Sequence, residues 1–132
     1  MRAPTRGRLD LVLVDAAAGV IVATEIESGL RRIEQLIGWH REKAEALPSS
    51  PIWPDLVVEG RPATIHRLLI LRSTRETRAT ATEVVATLRA AYPAAQRDVL
   101  AALAGREPWP GAGLLWVSLR GNRVSFDPRV RP

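Results

Sequence analysis

Two short apolar runs, Leu9-Asp10-Leu11-Val12-Leu13-Val14-Asp15 and Val20-Ile21-Val22-Ala23-Thr24-Glu25-Ile26-Glu27, are separated only by Ala16-Ala17-Ala18-Gly19. Both are rich in β-branched residues and too short for ordinary helices, so they read as strands joined in a hairpin. If Asp15 and Val20 close a four-residue loop, one register holds along the whole pair and Asp10 stands directly across from Glu25. Glu27 follows on the same face, because side chains alternate along a strand. Facing β-carbons lie about 5 Å apart, where like charges repel. Three acids on one hairpin face therefore require a cation, an arginine or a shared proton, and a metal ion is the sharpest of these answers.

Beyond the hairpin, Ser28 is placed to cap a helix over 29–47, with Pro48 just past its end. Leu30, Ile33, Ile37, His40, Ala44 and Leu47 form its apolar seam, broadened by Leu36. Prolines at 48, 51, 54 and 62 mark the next segment as a surface excursion, pinned by Ile52 and Trp53. The run 65–71 is apolar on both faces and reads as a central strand. Ser73-Thr74-Arg75-Glu76 matches a capping box, with Ser73 as N-cap and Glu76 at N3, opening a helix to about Ala91 with Ala81, Val84, Val85 and Leu88 inward. Tyr92-Pro93 ends it. A third helix follows over 94–104 with Gly105 as its C′ residue. A closing hairpin pairs 114–119 with 123–126 around Gly121-Asn122, with Trp116 and Phe126 as packing residues. The fold class is α/β, a mixed β-sheet flanked by helices.

At 132 residues and 46% hydrophobic content, the chain has the size of a single domain, 1–132, with one core. Its net charge of +5 and pI near 11.1 come from arginine, with Lys43 the only lysine. That balance favours a polyanionic partner such as nucleic acid, probed against the alternative of solvated arginines in an Arg- and Ala-rich chain. Only Arg120, Arg123, Arg129 and Arg131, against Asp127, form a modest basic cluster. The absence of cysteine excludes disulfides and thiolate metal sites and is compatible with a cytoplasmic location. Met1-Arg2-Ala3-Pro4-Thr5-Arg6 lacks the apolar core of a signal peptide. No apolar run approaches the roughly 18 residues of a membrane span, so no membrane partner is expected.

Chemically, Mg²⁺ takes one or two carboxylates together with waters and phosphate oxygens. Asp10 and Glu25 suit that role, and Glu27 is placed to add a ligand position or act as a general base. The competing reading makes them solvent-facing strand residues paired with arginines. His40 and His66 read as packing or hydrogen-bonded residues and share no ligand spacing. Ser73-Thr74-Arg75 at a helix start fits an anion, although capping alone accounts for the serine. A helix-turn-helix around Tyr92-Pro93 is disfavoured by the proline in its turn and by the lack of base-reading side chains on its second helix.

Asp10, followed after a hairpin by Glu25-Ile26-Glu27 and an amphipathic helix, resembles the PD-(D/E)XK, or restriction-endonuclease-like, superfamily of metal-dependent nucleases. The resemblance covers 8–74, the motif core, and leaves 75–132 as a helical and hairpin C-terminal part. It implies Asp10 and Glu25 as metal ligands and catalytic acids, Mg²⁺ as cofactor, and a nucleic acid partner, DNA first. Glu27 stands where the family lysine would be, a replacement that some active restriction enzymes carry. Leu9 stands where the family keeps a proline. Gln35-Leu36-Ile37-Gly38-Trp39 is similar to the Gln-x-x-x-Tyr box of RecB-type nucleases. With Arg32 near the helix start, it implies Arg32 and Gln35 as substrate-binding residues. Because only seven residues precede Arg8, the implied fold lacks the family's N-terminal helix and strand, or Met1 is an internal start within a longer regulator. The wider stretch from Arg8 to Trp39 is similar to nuclease-like domains of bacterial helix-turn-helix regulators. That likeness implies an alternative: a catalytically inactive module, a homodimer among its options, serving as the sensing or partner-binding part of a DNA-binding transcriptional regulator.

Overall fold

In the computed structural model, which describes residues 8–121 and 123–126, the first hairpin forms as its loop dictates. Strands β1 (Leu11–Asp15) and β2 (Val20–Glu27) pair antiparallel with Asp15 opposite Val20 and Leu11 opposite Thr24. Gly19 makes the turn possible. It adopts φ +66, and a β-carbon there would meet the Pro62 carbonyl oxygen at 2.6 Å. The Gly19 carbonyl in turn accepts from Thr64 N–H at 2.8 Å, tying the loop to the start of β3 (Thr64–Arg72).

The sheet has five strands in the order β1-β2-β3-β4-β5, with β4 spanning Gly113–Arg120 and β5 Arg123–Phe126. β2, β3 and β4 are parallel, and the two edge strands run antiparallel to their neighbours. Helix α1 (Ile33–Ala46) makes the crossover from β2 to β3, followed by a 3-10 turn (Leu47–Ser49) and the single-turn α2 (Trp53–Leu56). Helices α3 (Arg75–Glu83), α4 (Val85–Ala91) and α5 (Gln96–Leu103) connect β3 to β4. Parallel strands need such crossovers, which place helices on both faces of the sheet.

Alternation along β2 and β3 divides the core. Ile21, Ala23, Leu69 and Leu71 pack under α1, α3 and α4 with Leu30, Ile37, Ala44, Ala81 and Leu88. Val22, Leu68 and Leu115 face the other way, onto Val99 and Leu100 of α5. The closest fit is at Gly113, where a β-carbon would lie 2.5 Å from Val99 Cγ2. β3 is central, as its two apolar faces predict: Leu68, Leu69 and Leu71 are all fully buried.

Several boundaries differ from those expected. α1 begins at Ile33 rather than at Gly29, with Arg32 as N-cap in a left-handed conformation of φ 50. Ser28 does not cap it; its carbonyl accepts from Thr77 Oγ1 at 3.2 Å, so the chain is still bound to the first turn of α3 there. At the next helix Thr74, not Ser73, is the N-cap, accepting from Thr77 N–H at 3.1 Å. Glu76 therefore sits one place too early for a capping box. Ser73 still belongs to the sheet through a 2.7 Å bond to the Val117 carbonyl. The expected single helix to Ala91 breaks at Val84 after Thr80 and Thr82 return their hydroxyls to carbonyls one turn back, an arrangement that bends helices. The third helix starts at Gln96, not Ala94, because Ala94 forms a bridge with Gly113. Gly105, at φ +76, follows the C-cap as expected.

The proline-rich excursion carries two short helical turns, and Trp53 packs inward while Ile52 is 44% exposed. Trp116 is core, but Phe126 is exposed on the edge strand. Asn122, Asp127, Arg129, Arg131 and the basic segment 1–6 lie outside the described residues. Among the described residues, no helix is long and apolar enough to cross a membrane.

Candidate functional site

Where β2 ends beneath α1, the register places Asp10 level with Glu25. Asp10 precedes β1 and makes no ladder pair; instead its Oδ2 accepts the Ile26 backbone N–H at 2.8 Å. That charge-assisted bond holds the carboxylate against β2. Glu25 is only 5% exposed, and the Asp10 carboxylate lies close enough to help raise its pKa. The sequence-based geometry of two facing acids is therefore present.

The cation that the pair requires comes from α1. Lys43 Nζ donates to Glu25 Oε1 at 2.8 Å, with the lysine side chain 12% exposed. Burial raises the Glu25 pKa from 4.5 to about 7; Lys43 opposes the rise and the neighbouring Asp10 adds to it. Burial also raises the pKa of Glu27, reinforced by the Asp10 charge and opposed by Lys43. Glu27 thus shares the face and the field. Among the described residues, however, no three His, Cys, Asp or Glu side chains come close enough to hold a metal ion together.

A second layer of polar groups lies under the same helix. His40 is fully buried, its Nε2 2.8 Å from the Ala23 carbonyl and its Nδ1 2.6 Å from the Tyr92 hydroxyl. A carbonyl can only accept, so Nε2 carries the proton, Nδ1 accepts, and the tyrosine O–H donates to it. Burial lowers the His40 pKa from 6.5 to about 4, with Arg67 and Lys43 contributing to the fall; the ring is neutral at pH 7. Burial likewise raises the Tyr92 pKa. The Arg67 guanidinium lies 5.5 Å from the Tyr92 ring centroid and donates from Nη2 to the Ala91 carbonyl at 3.4 Å, while its buried Nη1 finds no partner.

Arg32 and Gln35 are exposed on the first turn of α1; among the described residues, the bonds to Asp10 and Glu25 come from Ile26 N–H and Lys43 instead. Along the helix axis Arg32 is about 16 Å from Lys43. His66 lies on the opposite sheet face from His40, bonded to Thr64 Oγ1 at 3.0 Å, with its pKa lowered by burial. Two features escaped sequence reasoning. Lys43 was one residue off the seam position Ala44, although its being the only lysine was a signal. The partner of His40 lay too far along the chain, at Tyr92, to be inferred.

No family model, curated protein or solved structure matches the chain.

Proposed function

We propose that this chain is a metal-dependent nuclease-like domain acting on nucleic acid phosphodiesters, with a restriction-endonuclease-like core. One observation carries the reading: Asp10, just before β1, is held against β2 beside Glu25, with the Lys43 ammonium bonded to Glu25 at 2.8 Å. Two acids and a lysine are the charge set of the resembled family, with the lysine delivered by a helix because position 27 carries glutamate. The acid-bearing hairpin leading through a helix into a parallel strand supports the same reading.

The donor set fits Mg²⁺, a hard cation bound through one or two carboxylates and otherwise by water and phosphate oxygens. Asp10 and Glu25 would hold it, and when bound it would neutralise a phosphate and acidify a coordinated water. Ile26 N–H fixes the Asp10 carboxylate. Lys43 opposes the rise in the Glu25 pKa that burial causes and presents positive charge beside the site, where charge develops on a phosphate under attack. Glu27, on the same strand face, with a pKa raised by burial, would serve as the general base that takes a proton from water. Arg32 and Gln35, exposed on α1, would meet a polyanion outside this centre.

The test is incubation with single- and double-stranded DNA and RNA in the presence of Mg²⁺ or Mn²⁺, beside an Asp10→Ala control. Metal-dependent cleavage that the control lacks supports the enzyme; equal product in both rejects it. One observation favours the second reading, a catalytically inactive module of a DNA-binding regulator: Lys43 already balances Glu25 at 2.8 Å, in the place beside the carboxylate that a metal ion would take. Metal-independent DNA binding without cleavage would select it.

A further inference from the structure

We propose that His40 and Tyr92 are positioning residues, a buried strut that sets the height of α1 over β2 and so places the Lys43 ammonium on Glu25. The inference rests on Lys43 belonging to the proposed site.

Beneath the C-terminal half of α1, Ala44 and Leu47 pack with Ile21 and Ala23, contacts that are apolar and carry no directional bond. His40 supplies the directional contact. Its Nε2–H reaches the carbonyl of Ala23, two residues before Glu25 on the same strand, and its Nδ1 accepts the hydroxyl of Tyr92, which follows α4. Both bonds are buried, where a lost partner is costly. Arg67, on β3 opposite Ala23, flanks the tyrosine ring from the sheet side. The helix is thus tied to β2 and to the α4 end through one imidazole.

Lys43 is three residues beyond His40, and positions so spaced share a helix face. Because α1 returns antiparallel to β2, Lys43 lies past Ala23 and turns its stem back toward the helix N-terminus to reach Glu25. Helical side chains lean in that direction. A slip of one helical turn, about 5.4 Å, would carry the ammonium away from a carboxylate it now touches at 2.8 Å.

The only lysine makes the test specific. In protein carrying ¹³C-labelled lysine, the Lys43 side chain gives one ε-methylene signal, and its acetylation by acetic anhydride is read by peptide mass. Glu25→Gln defines the signal of the unpaired lysine. Tyr92→Phe removes only a hydroxyl; it is expected to move the Lys43 signal toward the Glu25→Gln position and to speed acetylation several-fold. His40→Gln, which keeps an N–H donor for Ala23, is expected to stay closer to wild type than His40→Ala. Leu88→Ala, in the same core cluster but without a polar role, is expected to lower stability and leave the signal in place. A Tyr92→Phe signal at the wild-type position overturns the strut, as does a Leu88→Ala shift of equal size. The readout needs no cleavage, so failure of the strut and failure of the proposed function are seen separately.

Discussion

Lys43 on α1 reaches Glu25 on β2 at 2.8 Å and forms an ion pair in which both side chains are largely withdrawn from water. Buried pairs of this kind are costly to break one partner at a time, because the survivor keeps its desolvation without its compensation. Lys43→Met should therefore destabilise the protein by about 2 kcal/mol at pH 8, where Glu25 is ionised. The loss should shrink at pH 5, where Glu25 is protonated and needs no cation. Urea unfolding at the two pH values measures both; equal losses would contradict the pairing.

Glu25 and His40 respond to pH in opposite senses. The folded pKa of Glu25 is about 7 against 4.5, so its contribution to stability is full below pH 4.5 and is lost as pH rises through 7. His40 falls to about 4 from 6.5; its contribution is full above pH 6.5 and is lost as pH falls through 4. Each is worth on the order of 3 kcal/mol across its window, and between pH 4.5 and 6.5 they offset one another. Glu25→Gln removes one side. Its stability should rise with pH through that window more steeply than that of the wild type, and parallel curves would contradict the assignment.

Gly19 sets the register that brings Asp10 to Glu25. Alanine there would combine φ +66 with a β-carbon 2.6 Å from the Pro62 carbonyl oxygen. Gly19→Ala is expected to cost about 2 kcal/mol or more, read as a lowered urea midpoint. A neutral result would show that the loop relaxes without strain.

The legible parts of this chain are those where local chemistry leaves one answer. The four-residue loop closing Asp15 onto Val20 determined the hairpin register, and the two-sided apolar run around Leu68 and Leu69 marked a central strand. Helix limits were less legible because tertiary bonds decide them. Ser28 has the composition of a cap, but its carbonyl is held by Thr77, and a left-handed Arg32 starts the helix instead. Phe126 looked like core because it is large and apolar, yet much apolar surface stays exposed in any folded chain. At the site, the acids were readable because strand alternation is local. Lys43 and the His40–Tyr92 bond were not, since they depend on how a helix docks across the sheet.

The most direct measurement of the central claim, that Asp10 and Glu25 form a divalent-cation site with Lys43 at its side, is a Mn²⁺ titration of protein carrying ¹³C-lysine. Mn²⁺ at the carboxylates would broaden the single Lys43 signal by paramagnetic relaxation. The site predicts saturable broadening, shifted to at least about tenfold higher Mn²⁺ in Asp10→Ala, as removal of metal-site support weakens affinity. A Lys43 signal that stays sharp, or broadens identically in wild type and Asp10→Ala, would contradict it.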